Sequence, residues 1–318
     1  MRIINDFYST DPYFNLAAEE YFLTQSQEHI CRFWQNEHTV VIGKHQVMPA
    51  EVNTQVAQER KIQIARRISG GGTVYHDLGN LNFTFIANNV NGENLIDFKQ
   101  FTQPIIDALK VLGLDVQHSG RNDLLLKGLK ISGNAEHLSQ KLKRTMHHGT
   151  LLYNSNLDNL GAILKTPIDQ FIGKFVQSKR SMVTNLSDHL IQEMDMDAFR
   201  THLENYFIQF HKAESSELTK NEIHSIQELA NSKYKTEDWI MGYSPKFSFS
   251  GYFEGEYFEI FAVKGKVVGI ETAIAEIDQL EAVLLNKYFS YPELHQSIVG
   301  MEVNTDKWTR FLAAMFNI

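Results

Sequence analysis

The chain has little cysteine, little proline and no long apolar run. Cys31 is the single cysteine among 318 residues, so an internal disulfide is excluded, and we expect a reducing, cytoplasmic location. The first residues lack the apolar core of a secretory signal, and no stretch approaches the roughly 20 apolar residues of a membrane span. Six prolines and no biased tract argue against long linkers.

Positive charge is also scarce, which limits the partners. The chain carries 30 Lys and Arg against 38 Asp and Glu, a net charge of −8, so we expect no nucleic-acid partner and no membrane partner. The positive residues near the motifs described below are Arg66, Arg67, Arg121, Lys127, Lys130, Lys141, Lys143 and Arg144. Local positive charge on an acidic protein indicates a small anionic ligand or an acidic protein partner. We interpret Lys141, Lys143 and Arg144 as solvated surface.

What the chain does have is enough apolar material for a packed core, with 43% hydrophobic and 11% aromatic residues. Asp11 followed by Pro12 predicts the start of a helix. Apolar spacing predicts another helix over residues 98–112, with Gly113 as its stop. Residues 30–34 and 39–42 are typical of two strands that pair with each other. After residue 245, three strands followed by helices predict a second, small α+β unit.

Three consecutive glycines mark the most unusual segment, RRISGGGTVYHD at 66–77. Residues on either side alternate polar and apolar, as strands with one solvated face do. Such glycines allow a ligand to approach backbone N–H groups, although a flexible hairpin explains them equally well. The segment is neither a P-loop, since no Gly-Lys-Ser/Thr follows, nor a dinucleotide fingerprint, since it leads into a strand.

Two further segments carry candidate chemistry. GRNDLLLKGLKISGNA at 120–135 predicts a strand over residues 123–126, a turn at Lys127 and Gly128, and a returning strand that contains Lys130. HHGTLLY at 147–153 predicts the start of another strand.

These three ordered segments closely resemble the lipoate–protein ligase A family. The resemblance covers most of the chain and includes NLAAEE at 15–20 and VTNL at 183–186. It implies an α+β fold, with a large mixed β-sheet domain flanked by helices, similar to biotin and lipoyl ligases. Residues 1–244 would form this catalytic lipoate- and ATP-binding domain, and residues 245–318 a small C-terminal α+β accessory domain.

The activity that the resemblance implies is ATP-dependent lipoylation. Lipoate, or octanoate as a second substrate, would be activated to lipoyl-AMP with release of pyrophosphate, with ATP and Mg²⁺ required. The acyl group would then pass to a lysine of an apo lipoyl domain, in a 2-oxoacid dehydrogenase E2 subunit or the glycine-cleavage H protein. We expect a monomer.

The resemblance also implies roles for individual residues. Lys130 would be the catalytic residue that binds both substrates. The other residues implied for ATP and lipoyl-AMP are Arg67, Gly72, Thr73, Val74, Tyr75, Asn122 and Asp123. The residues implied for the lipoate pocket are Ser69, Gly70, Gly71, His76, Ser132, Gly133 and His148. Asp123 is the candidate Mg²⁺ ligand, because hard cations take carboxylate oxygens beside phosphates, but a turn residue that caps its own backbone is an equal alternative.

Several alternatives stay open. A lipoyl or octanoyl transferase that uses preformed lipoyl-AMP or another acyl donor would keep the same pocket. A thioester mechanism would need Cys31, which lies in an apolar strand typical of an inert thiol. The Gly-Arg-Gly-Arg loop of biotin ligases is absent, and Lys130 argues against a mere binding module. The chain has Met182 where the family often has arginine, with Arg180 nearby.

Overall fold

The computed structural model describes residues 1–4, 9–89, 97–120, 122–164, 168–179, 181–301 and 304–316. Arg121 and Arg180 therefore lie outside the described residues. The strands in chain order are β1 (Arg2–Ile4), β2 (Ile30–Trp34), β3 (Thr39–Ile42), β4 (Gln63–Arg66), β5 (Val74–His76), β6 (Asn80–Asn88), β7 (Val116–His118), β8 (Asp123–Leu126), β9 (Leu129–Ser139), β10 (Arg144–Leu152), β11 (Phe171–Gly173), β12 (Glu214–Ser216), β13 (Phe247–Phe253), β14 (Glu256–Val263) and β15 (Lys266–Thr272). The helices are α1 (Pro12–Gln25), α2 (Met48–Glu51), α3 (Thr54–Glu59), α4 (Phe98–Val111), α5 (Leu157–Ile163), α6 (Met196–His211), α7 (Lys220–Leu229), α8 (Glu237–Ile240), α9 (Ile277–Leu284), α10 (Tyr291–Val299) and α11 (Thr305–Phe316).

A mixed eight-stranded sheet, in the order β12-β1-β2-β6-β10-β9-β8-β7, is the frame of the molecule. β1 runs parallel to β12 and β2. The remaining neighbours in the sheet, β2-β6, β6-β10, β10-β9, β9-β8 and β8-β7, pair antiparallel. A second sheet, β4-β3-β5, has three strands, and a third, β11-β13-β14-β15, has four. The predicted fold class, α+β with a large mixed sheet, helices on it and a small C-terminal unit, is confirmed.

The two faces of the large sheet pack against different elements, because side chains alternate along each strand. On one face, Phe33 and Phe83 pack with α4 and α6, in a core that includes Leu109 and Phe207. On the other face, Trp34 packs with α1, α7 and the three-stranded sheet. The space between the large and the three-stranded sheets holds the candidate site.

Helix α1 starts where the sequence predicts. Asp11 is the N-cap, its carboxylate accepts a hydrogen bond from the Tyr13 N–H, and Pro12 occupies the first turn. The prediction that Arg144 is solvated surface is wrong. Its side chain is 1% exposed and donates to carbonyl oxygens at and just beyond the end of α1, among them Phe22 O at 2.7 Å. A buried guanidinium here satisfies carbonyls that a helix end leaves unpaired.

The predicted pairing of residues 30–34 with 39–42 is also wrong, although both strands exist with those bounds. β2 pairs with β1 and β6, whereas β3 pairs with β4 and β5 in the other sheet. Both strands are buried along their whole length, so each supplies apolar side chains to both of its faces. Continuous apolar runs of this kind do not specify a partner.

The C-terminal strands and helices pack around one apolar core that includes Phe258, Trp308 and Phe311. Elements from earlier in the chain join it. β11 pairs with β13, and Ala50 of α2 packs in the same core. The boundary at residue 245 stays a prediction. Among the described residues, no helix combines the length and apolarity that crossing a bilayer requires.

Candidate active site

A cavity of about 560 Å³ opens between the two sheets. It brings together most of the residues that the sequence singled out, from segments far apart in the chain. The predicted residues that line it are Arg67, Gly71, Gly72, Thr73, Val74, His76, Asn122, Asp123, Lys130, Gly133 and His148. These residues belong to the triple-glycine loop (residues 67–73), to β5, to the β8–β9 hairpin with the residue before it, and to β10.

The remaining predicted residues, Ser69, Gly70, Tyr75 and Ser132, are not among the residues that line the cavity. Ser69 and Ser132 are fully buried. The Tyr75 hydroxyl lies 2.9 Å from His38 Nδ1 and 3.3 Å from Asn159 Nδ2. Gly70 faces open space, since a Cβ on it would meet no atom within 4 Å. The side chains of Ser69, Tyr75 and Ser132 therefore do not border the space inside the cavity, and Gly70 has open space beside it.

The triple-glycine loop joins β4 to β5, and two of its glycines have a clear steric reason. Gly71 has φ +88°, a conformation that side chains disfavour. A Cβ on Gly72 would lie 3.0 Å from Ser178 Oγ, so glycine lets residue 178 approach the loop. Gly43 also has a steric reason, because a Cβ there would lie 2.2 Å from Gly71 O. The loop is therefore packed against two other backbones.

Arg67 shapes this loop from inside. Its guanidinium donates to Gly70 O and Gly72 O, each at 2.7 Å, and to Ser69 Oγ at 3.0 Å. Burial lowers the pKa of Arg67 to about 10, so it keeps its charge at neutral pH. A buried cation beneath glycine backbone makes this side of the cavity attractive to an anion.

Lys130 and Asp123 face each other on the β8–β9 hairpin. The predicted turn forms, with φ +52° at Lys127 and +81° at Gly128, as a two-residue hairpin requires. Lys130 Nζ lies 2.9 Å from Asp123 Oδ1, and each side chain is 23% exposed. A Cβ on Gly133 would lie 3.2 Å from Lys130 Nζ, so glycine leaves room for the lysine.

The backbone of Lys130 is held as firmly as its side chain. Its N–H donates to Met182 O at 2.9 Å, and its carbonyl accepts from the Thr184 N–H at 3.1 Å. The segment after residue 181 therefore lies along β9 at this position. Met182 itself is 78% exposed, so the side chain that replaces the family's usual arginine points to solvent.

Glu19, His148 and Ser69 form a buried hydrogen-bonded chain beside the cavity. His148 Nδ1 lies 2.8 Å from Glu19 Oε1, and His148 Nε2 lies 2.6 Å from Ser69 Oγ. Ser69 Oγ also accepts from Arg67, so the chain links α1 to the triple-glycine loop. Glu19 was not among the predicted site residues, although its place in the NLAAEE segment was an available signal.

His76 is held as a neutral ring. Asn36 Nδ2 lies 3.0 Å from its Nδ1, and Asn36 Oδ1 accepts from Asn15, so Nδ1 is the acceptor and Nε2 carries the hydrogen. Burial and, to a smaller extent, the nearby Arg67 charge lower the pKa of His76 to about 3. His76 therefore offers the cavity wall a neutral imidazole.

A second hydrogen-bonded network contains residues that were not predicted from the sequence. Gln46, Glu51, Thr73 and Ser178 share hydrogen bonds at the edge of the cavity. Glu51 is 3% exposed, and burial raises its pKa. A single carboxylate within the apolar stretch VMPAEV at 47–52 was the signal that could have identified it.

The candidate metal ligand at the cavity is Asp123. Within the described ranges, no cluster of three or more His, Cys, Asp or Glu side chains has an arrangement that would hold an ion. Asp123 offers one carboxylate toward the cavity. This suits Mg²⁺, which is usually held by one or two carboxylates together with substrate phosphates and water.

Comparisons with known proteins give the site a context. Residues 11–208 match the family profile described as lipoyl protein ligase A/B catalytic domain. The lipoate-protein ligase LplJ of Bacillus subtilis is 34% identical over 321 aligned residues, which cover 95% of this chain and 95% of that protein.

Solved structures of lipoate protein ligases superpose on this chain. A bipartite lipoate protein ligase of Thermoplasma acidophilum, studied with its E2 lipoyl domain, superposes with a TM-score of 0.65 at 27% identity, covering 76% of this chain and 96% of that one. A lipoate-protein ligase A bound with ATP superposes with a TM-score of 0.64 at 27% identity, covering 76% of this chain and 98% of that one.

Proposed function

The chain belongs to the lipoate–protein ligase A family and is a lipoate–protein ligase, and from this premise we propose how its residues perform the two half-reactions. Lipoate and ATP would give lipoyl-AMP and pyrophosphate, and the lipoyl group would then pass to a lysine of a protein. The observation that carries the proposal is the Lys130 ammonium beside the Asp123 carboxylate, in a cavity bordered by the triple-glycine loop.

In the first half-reaction, Lys130 would bring two anions together. A carboxylate oxygen of lipoate attacks the α-phosphorus of ATP, the bond from that phosphorus to the β-phosphate oxygen breaks, and pyrophosphate leaves. Catalysis of this step requires positioning and fixed positive charge. An ammonium between carboxylate and phosphate lowers their repulsion and stabilises the charge that develops. Arg67 adds a second, buried cation on the loop side.

The nucleotide would lie along residues 72–75 and the β8–β9 hairpin, near Asn122. Mg²⁺, when bound, would neutralise phosphate charge, with Asp123 as its protein ligand. Support for ATP as the substrate comes from the related ligase A that was solved with ATP. Because Asp123 already contacts Lys130, binding of substrates would redistribute the partners of both groups.

The lipoyl chain would lie against Gly71, Gly133, His76 and His148, with Ser69, Gly70 and Ser132 supporting them. Trp34 and Leu16 add apolar surface to the same cavity. Apolar walls discriminate only weakly between chain ends of similar size, so octanoate is a second substrate in this proposal.

In the second half-reaction, the acceptor is a lysine of an apo lipoyl domain, in an E2 subunit or the H protein. Its amine has a pKa near 10.4 in solution and must lose a proton before it attacks the acyl carbon. The new C–N bond forms, the C–O bond to phosphate breaks, and AMP leaves. The proton would pass to Asp123 or to the phosphate of the adenylate. An E2 lipoyl domain accompanies the Thermoplasma ligase, which supports this class of partner.

One experiment separates the proposal from its nearest alternative. The purified protein is incubated with lipoate, Mg-ATP and a panel of apo lipoyl domains, with ATP omitted or lipoyl-AMP supplied in parallel. A full ligase lipoylates the acceptor with lipoate and ATP. Transfer from lipoyl-AMP alone, with none from lipoate and ATP, would identify the transfer-only enzyme. A cytoplasmic location and a monomeric state stay predictions from the sequence.

A further inference from the structure

One wall of the cavity is a short segment that we call the strap, residues 174–179. Val176, Gln177, Ser178 and Lys179 line the cavity from it. The strap follows β11, which is paired in the four-stranded sheet, and Val176 N–H donates to His45 O at 3.3 Å. Most of its residues are exposed, as expected of a loop that covers a site.

Ser178 ties the strap to the protein by every hydrogen bond that its hydroxyl can make. Its Oγ donates to Glu51 Oε2 at 2.5 Å and accepts from the Thr73 N–H at 2.7 Å and from Gln46 Nε2 at 3.1 Å. Its backbone N–H donates to Glu51 Oε1 at 3.1 Å. A hydroxyl has one donor and two acceptor sites, so Ser178 is fully satisfied.

Glu51 is the centre of this tie. Both of its carboxylate oxygens accept hydrogen bonds from Ser178, and Thr73 Oγ1 lies 3.3 Å from Oε2. A buried carboxylate is costly unless such donors surround it. Gly72 is independent evidence that the strap packs against the loop here, because a side chain at this position would meet Ser178. The Glu51 carboxylate and the glycine at position 72 thus both allow the strap to pack against the triple-glycine loop.

We propose that Glu51 is a positioning residue, which holds Ser178 against Thr73 and so keeps the strap closed over the acyl-adenylate between the two half-reactions. This inference rests on the proposed function, because it concerns the intermediate of that reaction. A mixed anhydride reacts with water, so an enzyme that must wait for a protein acceptor has to exclude water and retain the intermediate. Glu51 touches neither substrate in this scheme and acts through the strap.

The test compares three variants with the wild-type enzyme. Glu51→Gln keeps the shape but removes the charge, Ser178→Ala removes the hydroxyl, and Glu59→Gln is the matched control on the exposed side of α3. Each protein is given lipoate and Mg-ATP without acceptor, and free lipoyl-AMP is separated rapidly from bound. In parallel, trypsin cleavage after Lys174 and Lys179 reports strap opening in the ligand-free protein.

We expect Glu51→Gln and Ser178→Ala to release lipoyl-AMP and to be cleaved in the strap roughly tenfold faster, the size of losing a hydrogen bond to a charged group. The initial rate of ATP–pyrophosphate exchange should fall less than the retention of the intermediate, which a general loss of structure would not produce. Glu59→Gln should behave as wild type. Unchanged cleavage of the strap and unchanged retention of lipoyl-AMP in Ser178→Ala would overturn the inference. This result decides the question even if Glu51→Gln fails to fold.

Failure of the proposed function has a different signature. A wild-type enzyme that forms no lipoyl-AMP contradicts the proposed first half-reaction, and the cleavage of the ligand-free protein still decides whether Glu51 holds the strap. A wild-type enzyme that forms and retains lipoyl-AMP, with variants that retain it equally, leaves the function intact and removes only the role of Glu51.

Discussion

Lys130 Nζ lies 2.9 Å from Asp123 Oδ1 across a two-residue turn. The pairing orients the ammonium before any substrate is present, because the lysine backbone is also fixed by Met182 and Thr184. Asp123, which we propose as a Mg²⁺ ligand, is therefore also the ion-pair partner of Lys130. The first two predictions separate these functions.

Replacing Lys130 by alanine should abolish adenylation and leave the fold intact. Loss of the ammonium that we place between carboxylate and phosphate should lower lipoate-dependent ATP–pyrophosphate exchange by about a hundredfold or more. The ion pair is partly exposed, so the free energy of unfolding should change by about 1 kcal/mol or less. Lys141→Ala, on the exposed β9–β10 turn, is the control. Exchange that persists in Lys130→Ala would refute the role given to this residue.

Asp123→Asn tests the metal-ligand proposal. An amide is a weaker Mg²⁺ ligand than a carboxylate, so the Mg²⁺ concentration for half-maximal exchange should rise. Loss of a charged hydrogen-bond partner for Lys130 should also lower the rate, by roughly tenfold. The measurement is a Mg²⁺ titration of the exchange reaction at saturating ATP. A lower rate with an unchanged Mg²⁺ requirement would leave Asp123 as a partner of Lys130 alone.

Cys31→Ser should retain near-normal ligase activity per folded molecule. The Cys31 side chain is fully buried, and burial raises its pKa well above the usual value, so a reactive thiolate is disfavoured. A hydroxyl in this apolar core should cost about 1–3 kcal/mol of stability. The variant is assayed well below its melting temperature, with lipoylated acceptor quantified by mass spectrometry. Complete loss in a folded variant would favour the thioester mechanism.

His76 should make folding sensitive to acid. Its folded-state pKa is about 3, lowered by burial from 6.5, so below pH 6.5 the unfolded chain binds a proton that the folded chain does not. The contribution of His76 to the free energy of unfolding is therefore fully present above pH 6.5. It is lost as the pH falls toward 3, by up to about 1.36 kcal/mol per pH unit. Urea unfolding from pH 7 to pH 4 should show a shallower acid loss in His76→Gln.

The comparison with His76→Gln is needed because another group acts with the opposite sign. Burial raises the pKa of Glu136 to about 7, so its contribution is present at low pH and is lost as the pH rises from 4.5 to 7. Subtracting the variant's pH profile from that of the wild type cancels this contribution. Parallel profiles for the two proteins would show that His76 is not buried as a neutral ring.

Local signals in the sequence were sufficient for elements that depend on local physics. Helix α4 runs from Phe98 to Val111, and the predicted stop at Gly113 has φ +80°. The β8–β9 turn forms because Lys127 and Gly128 adopt the positive φ values that a tight hairpin needs. Lys130 and Asp123 are seven residues apart, so this hairpin alone brings them together.

Long-range pairing could not be predicted in the same way. β2 and β3 were correctly located, but their partners lie elsewhere in the chain. Glu51 and Ser178 are 127 residues apart, and nothing in the segment around either residue indicates the other as its partner. Gly149 shows the same limit. A Cβ there would lie 2.2 Å from Asn134 Oδ1, so this glycine is needed for packing between strands. The neighbouring residues in the sequence do not indicate this role.

The pairing of β11 with β13 has a consequence for the size of the working enzyme. The strap begins where β11 ends, and Glu51 follows Ala50, which packs in the C-terminal core. Both halves of the tie over the cavity therefore rest on residues beyond 245. A chain shortened to residues 1–244 would keep Lys130 and the triple-glycine loop, yet it would lose the β13 pairing and the core contacts that support β11 and α2 beside the strap.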